Sequence, residues 1–143
     1  MILQDNKLED CNYLNIIKDK EKLFEYSRYR IYKDEYDMRY FCYMYEGNPI
    51  GSITYVLNSS NIPVIDFTYI SEQYRNKKIA THLYQNLLNH YNTIISDICL
   101  NNATYKIWTT LKGKKYIYND NAYFVDSFNI TNNLIDRFLI TKE

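Results

Sequence analysis

The chain has 143 residues, the length of one ordinary domain, and we expect a single domain spanning residues 1–143. Its 17 basic and 17 acidic side chains cancel, so it lacks the positive excess by which nucleic-acid-binding domains attract phosphate. No apolar run reaches membrane-spanning length, and the three separated cysteines with two histidines indicate neither a disulfide framework nor a metal site. Neither a nucleic-acid nor a membrane partner is therefore expected.

The N-terminal half predicts helices followed by an antiparallel meander. Residues 1–4 read as a short first strand. The helical spacing of Leu14, Ile17, Leu23 and Tyr26 predicts one or two helices within residues 8–32, broken near residues 18–20. Aromatic and apolar runs then predict strands over residues 39–45, 50–57 and 63–70, separated by turns at 46–49 and 58–61.

The C-terminal half begins with the clearest helix signal of the chain. Ile79, Leu83 and Leu87 recur every four residues, which is typical of an amphipathic helix. A strand over residues 93–98, a helix over about 101–111, and strand-like runs at 116–118, 123–125 and 134–140 follow. The order predicts an α/β (α+β) fold, with a central mixed, mostly antiparallel sheet and helices on both faces.

A polar, basic turn at residues 71–78 joins the third of the meander strands to that helix. Helix N-termini carry unpaired N–H groups and partial positive charge, and Arg75, Lys77 and Lys78 add three cations there. Asn76 tolerates the left-handed backbone that tight loops require. The turn therefore predicts a site for an anion the size of pyrophosphate, with a solvated basic turn as the alternative.

The segments 65–70 and 74–83 resemble the acyl-CoA-binding motif of the GNAT N-acetyltransferase superfamily. Arg75 matches the first motif position and Ala80 the last, while Lys78 replaces the middle glycine. The resemblance implies a GNAT-like fold with a splayed strand pair, and acetyl-CoA as cofactor. It implies that backbone groups of Tyr69 and Ile70 hold the pantetheine arm. The pyrophosphate would be held by the N–H groups of Asn76, Lys77, Lys78, Ile79, Ala80 and Thr81.

A second GNAT signature falls in the later helix. In many members an Asn opens this helix, and a Tyr seven residues on protonates the departing thiolate. Asn101 fits the opening, but the later position is Trp108, whose indole cannot act as an acid. Tyr105, about one turn earlier, is the candidate proton donor; Asn101 and Trp108 are candidate cofactor contacts, with a core role as the alternative for Trp108. The region from Ser96 to residue 111 is similar to poorly characterised GNAT-like proteins, many of them phage-encoded.

The candidate base is Asp66, the carboxylate within the strand 63–70, with Glu72 at the strand's end as a second possibility. A structural ion pair is the alternative role for Asp66. Strand alternation predicts Asp66, Thr68 and Ile70 on one face, opposite the face that carries Ile65, Phe67 and Tyr69. His82 and His90 are expected to be surface or helix-packing residues.

The resemblance implies an acetyl-CoA-dependent N-acetyltransferase that acts by direct transfer on an amine of a small molecule or protein. Acidic residues within and after the predicted N-terminal helices suit such an acceptor: Glu21, Glu25, Asp34, Glu35 and Asp37. A monomer or homodimer in the cytoplasm is expected, the host cytoplasm if the protein is phage-encoded. The alternative is a non-catalytic GNAT-fold protein that binds a host or defence protein.

Overall fold

The computed structural model describes residues 2–3, 13–96, 99–126 and 129–142. Two helices are bounded within them, α1 (Ile79–Tyr91) and α2 (Asn102–Thr110), while residues 13–17 are also helical and Glu72–Tyr74 form a 3₁₀ turn. The strands are β1 (Ile2–Leu3), β2 (Glu21–Tyr26), β3 (Tyr29–Lys33), β4 (Arg39–Tyr45), β5 (Asn48–Leu57), β6 (Pro63–Ile70), β7 (Thr93–Ile95), β8 (Cys99–Asn101), β9 (Lys114–Asp126) and β10 (Asn129–Thr141).

The strands form one mixed sheet in the order β2-β3-β4-β5-β6-β7-β10-β9-β8. Pairing is antiparallel from β2 to β6 and from β7 through β10 to β9. The parallel contacts are β6 with β7, β8 with β9, and β1 with β6. The predicted mixed, mostly antiparallel sheet is therefore confirmed.

Apolar side chains fill a core on each face of the sheet. On one face α1 and α2 cover a cluster that includes Leu83, Leu87 and Trp108. On the opposite face residues 13–17 contribute Leu14 and Ile17 to a smaller cluster beneath them. Alternation along the strands explains the division, because successive side chains point to opposite faces. Helices on both faces are confirmed.

The N-terminal helix prediction is wrong for residues 21–32. The break at residues 18–20 is present, but the chain then forms the β2–β3 hairpin, in which Tyr26 pairs with Tyr29 across a two-residue turn. Ser27 adopts a positive φ of 55° in that turn, as tight hairpin turns require. The aromatic residues of this segment favour strands once a neighbouring strand, β4, is available. The predicted helix over residues 8–12 lies outside the described residues.

The later elements agree with prediction except at their ends. The separate runs 116–118 and 123–125 belong to one strand, β9, and the run 134–140 lies within β10. The strand predicted over 93–98 ends at Ile95 as β7, and residues 97–98 lie outside the described part of the chain. Among the helices the structure describes, none has the length and apolar character needed to span a membrane.

Candidate active site

The two central strands of the sheet separate near the start of β6. One edge of β6 pairs with β5 along its length, from Leu57 opposite Pro63 to Gly51 opposite Ile70. The other edge meets β7 at a single pair, Val64 with Ile95. Because β7 ends at Ile95, the rest of this edge of β6 has no pairing with β7, as the expected splayed pair requires. The gap on that edge receives β1, which pairs with β6 at Thr68 and Tyr69.

The basic turn at the end of β6 has the backbone geometry of an anion-binding loop. Asn76 and Lys78 both adopt left-handed conformations with φ of 62°. Lys78 is the residue before α1. The N–H groups in the first turn of a helix have no acceptor within the helix, and no side chain caps this end of α1. Left-handed residues beside a helix N-terminus turn successive N–H groups toward one concavity. Lys78, which stands at the position of the motif's middle glycine, thus takes a conformation that glycine adopts most readily.

Arg75 ties the loop to the end of β6. Its Nε donates a hydrogen bond of 2.9 Å to the carbonyl oxygen of Ile70, and its guanidinium lies 5.7 Å from the centre of the Tyr69 ring. The side chains of Asn76, Lys77 and Lys78 are exposed beside it. A cleft of about 170 Å³ opens here, lined by Ile70, residues of the loop, the start of α1, and Ala103 and Ile107 of α2. Buried Ile79 and Ala80 form its α1 wall.

A glycine lets α1 approach the sheet beside this cleft. Gly51 of β5 lies opposite Ile70. A Cβ at Gly51 would lie 2.8 Å from Ile70 Cδ1 and 3.3 Å from both Ile79 Cγ2 and Leu83 Cδ1, closer than ordinary carbon contacts. The absent side chain therefore helps set the position of the loop and of the start of α1. Sequence reasoning missed this residue, because only the packed structure shows what its Cβ would meet.

The alternation predicted for β6 is interrupted by a bulge at Asp66. Thr54 pairs with Phe67 and Tyr55 with Ile65, so Asp66 is the extra residue. Ile65 therefore shares the α1 face with Thr68 and Ile70, instead of opposing them. Asp66 is exposed, and its negative charge contributes to the raised pKa of Tyr13, which lies on the opposite face. The predicted assignment of Asp66 and Ile65 to faces is wrong because an alternation rule does not anticipate a bulge.

The opposite face of β6 carries a buried hydroxyl cluster that sequence reasoning also missed. The Tyr13 hydroxyl lies 2.6 Å from Thr54 Oγ1, and its ring packs on Phe67 and Tyr69. Burial is the main cause that raises the pKa of Tyr13 to about 12, so the hydroxyl stays protonated at neutral pH. Tyr69 packs here, within the cluster beneath residues 13–17. Only its backbone therefore remains as a candidate cofactor contact on the β6 edge.

Trp108 lies wholly inside the α1-face core. Its ring stacks on Phe138 of β10 with centres 6.4 Å apart, and meets Tyr84 edge-on at 5.7 Å. The Tyr84 hydroxyl in turn bonds Thr68 of β6, so Trp108 lies between a tyrosine tied to β6 and a phenylalanine of β10. Its Nε1 is buried and has no hydrogen-bond partner among the described residues. A buried N–H without an acceptor is costly.

The other α2 candidates lie differently. Tyr105 is 41% exposed and packs its ring on Phe138 at 5.8 Å, one helical turn from Trp108. Asn101 ends β8, immediately before α2, and its side chain lies outside the described part of the structure. Among the described residues, no group of three His, Cys, Asp or Glu side chains is arranged to hold a metal. His82 is exposed, and His90 packs on Phe24 and Tyr91.

The predicted acidic acceptor wall is not a pair of helices. Glu25 forms ion pairs of 2.8 Å with Lys22 and Arg30 on the β2–β3 hairpin, and a hydrogen bond from Lys22 is the main cause that lowers its pKa. Lys33 pairs with Asp37 at 3.4 Å. Glu25 and Asp37 are thus paired with cations at the β2 side of the sheet. A cleft of about 210 Å³ nearer the end of β6 adjoins the loop through Tyr74, and residues 14–15, 45–50 and 71–74 contribute its lining.

A mixed sheet with a splayed strand pair, followed by a basic loop that opens a helix, is the arrangement of a GNAT fold. Residues 7–98 match the family described as Acetyltransferase (GNAT) family, and the chain belongs to that family. Among solved structures it is similar to a GNAT-family acetyltransferase from Staphylococcus aureus Mu50. The TM-score is 0.48 at 12% identity, over 74% of this chain and 69% of that chain. No curated protein matches the chain.

Proposed function

We propose that this protein is an acetyl-CoA-dependent N-acetyltransferase that transfers the acetyl group directly to an amine of a small molecule or protein. One observation carries the proposal. Two left-handed residues, three cations and an uncapped helix N-terminus lie together at the end of β6, where the strands diverge. This combination suits a ligand with a pyrophosphate and an extended amide arm, and acetyl-CoA has both.

The residues present fit such a ligand. The N–H groups of residues 76–81 face the pyrophosphate, and the charges of Arg75, Lys77 and Lys78 neutralise it. Backbone groups of Tyr69 and Ile70 on the β6 edge would hold the pantetheine arm. The Trp108 N–H, buried without a partner among the described residues, would donate to a carbonyl of that arm if the arm reached it.

The chemistry places two demands on the protein. As the amine nitrogen bonds to the acyl carbon, it must lose a proton, and the carbon–sulfur bond breaks to leave a thiolate. We assign the base to Asp66, because the bulge exposes its carboxylate on the central strand. Tyr105 is the proton donor to the thiolate in this proposal, since its phenol can give up a proton and the indole of Trp108 cannot.

Calorimetric titration with acetyl-CoA and with CoA tests the cofactor site. We expect micromolar affinity that falls at least about thirtyfold when Arg75, Lys77 and Lys78 are all changed to alanine, because about 2 kcal/mol of charge-assisted binding is lost. The control changes Lys20, Lys22 and Lys33 to alanine, which alters the net charge equally at the other side of the sheet. Absence of binding to the folded wild-type protein at millimolar acetyl-CoA would refute the proposal.

Catalysis needs a separate readout. Release of free thiol from acetyl-CoA should depend on an added amine, screened across polyamines, amino sugars, and peptides with lysine or a free N-terminus. Asp66→Asn and Tyr105→Phe should each lower the rate by about a hundredfold or more, with little change in acetyl-CoA affinity. Tight acetyl-CoA binding without thiol release across this panel would favour a binding protein over an enzyme.

A further inference from the structure

Two strands, β7 and β1, pair with the edge of β6 that β5 does not occupy. β5 occupies the opposite edge from Pro63 to Ile70, so every other partner of β6 must use the edge that faces the gap. β7 takes the beginning of that edge at Val64. Further along, Ile2 lies opposite Thr68 and Leu3 opposite Tyr69 in a parallel ladder. β1 therefore pairs with the same part of β6, at Thr68 and Tyr69, where a pantetheine arm would pair.

A backbone N–H or carbonyl on one strand edge cannot pair with two different strands at once. We propose that β1 is a built-in competitor of the acyl-CoA arm: it covers the β6 edge at Thr68–Tyr69 and must leave before the arm pairs there. The inference rests on the proposed function, because it concerns regulation of the same site. It adds that the protein would alternate between two states. In the closed state β1 is paired with β6, and in the open state β1 has left and the edge can bind the arm.

The size of the contact suits a reversible closure. The β1 ladder consists of two residue pairs, whereas β5 pairs with β6 along the whole strand. Each backbone hydrogen bond adds only a modest net stability, so β1 can detach while the sheet persists. Because the closed state does not bind the arm, the measured affinity equals the intrinsic affinity multiplied by the open fraction. Weakening β1 should therefore strengthen cofactor binding.

The test removes the β1 ladder without touching β6. Proline has no N–H and fits poorly within a paired strand, so the variant carries Ile2→Pro and Leu3→Pro. The matched control carries Ile2→Val and Leu3→Val, which keeps both N–H groups and a strand-favouring side chain. Affinity for CoA is measured by calorimetry on proteins freed of any tag. Amide hydrogen exchange at residues 67–70 is followed in the same samples, and thermal unfolding confirms that each is folded.

The proline variant should bind CoA about tenfold more tightly than the wild type, and its exchange at residues 67–70 should rise without CoA and fall again with it. The valine control should match the wild type. Equal CoA affinities in all three proteins would overturn the competition while leaving the proposed function intact. Weaker binding by the folded proline variant would mean that β1 helps to build the site, which also overturns it. Failure of all three folded proteins to bind CoA would refute the proposed function and the competition together.

Discussion

The hydroxyl of Tyr84 on α1 lies 2.7 Å from Thr68 Oγ1 on β6, in a buried hydrogen bond that links the helix to the strand beside the splay. Thr68 is also the residue opposite Ile2 of β1. The side chain of Thr68 thus bonds to α1, while its backbone lies on the edge for which β1 and the proposed cofactor would compete.

A double-mutant cycle measures this bond. Tyr84→Phe and Thr68→Val each remove one hydroxyl of this buried hydrogen bond, so each should lower the free energy of unfolding by about 1–2 kcal/mol. The double variant should lose less than the sum, with a coupling of about 1 kcal/mol. Urea unfolding of the four proteins gives the values. Strict additivity would show that the two hydroxyls do not depend on each other.

Lys78 combines two properties that one pair of variants can separate. Its left-handed backbone costs a residue with a Cβ about 1 kcal/mol relative to glycine, while its cation stands at the anion loop. Lys78→Gly should therefore be about 1 kcal/mol more stable to urea than Lys78→Ala. Both should weaken CoA binding, since both lack the charge. Equal stabilities would argue against a left-handed conformation at this position.

Gly51 should tolerate no side chain. Gly51→Ala forces a methyl group against Ile70, Ile79 and Leu83, and we expect a loss of about 1–3 kcal/mol in the free energy of unfolding. Because the displaced groups border the loop, CoA affinity should fall as well. Gly47→Asn is the control: no heavy atom lies within 4 Å of its Cβ position, and asparagine accepts the positive φ of 79° found there. A neutral Gly51→Ala would contradict the packing described.

Trp108 is the chain's single tryptophan, so intrinsic fluorescence reports on one defined place. Because the side chain is fully buried, emission should lie at short wavelength and shift to longer wavelength on unfolding. CoA should alter the emission of the folded protein, since an acceptor in the gap gives the indole N–H its first partner. Trp108→Phe should lose that signal and bind CoA several-fold more weakly. An emission spectrum that is unchanged at saturating CoA would show that the ligand binds away from Trp108.

His90 should make stability fall at mildly acidic pH. Burial lowers the pKa of His90 below its ordinary value, so the folded protein binds this proton less readily than the unfolded chain does. The contribution to stability is complete above the unfolded pKa of about 6.5. It is lost as the pH falls through the lower folded value. Between pH 7 and 5 the thermal midpoint of the wild type should therefore drop further than that of His90→Phe, measured by scanning calorimetry. Parallel profiles would assign the pH response to other groups.

Much of the fold could be predicted from local patterns. The strands over residues 39–70 and the helix from Ile79 were predicted because apolar side chains there repeat with the period of a strand or a helix. The basic turn was recognisable because Arg75, Lys77 and Lys78 directly precede that helix. The hairpin at residues 21–33 was not, because its helical spacing is outweighed by pairing with β4, a partner that a local pattern cannot see.

The sequence by itself determined the family, the central meander and the position of the basic turn before α1, since each depends on residues close together in the chain. Only the tertiary structure decided three other things: the bulge that puts Ile65 on the α1 face with Thr68 and Ile70, the burial of Trp108 between Tyr84 and Phe138, and the pairing of β1 with β6. Each depends on which distant backbone or ring a residue meets. Such choices follow from competition among long-range contacts, in which edge hydrogen bonds and core packing outweigh local preference.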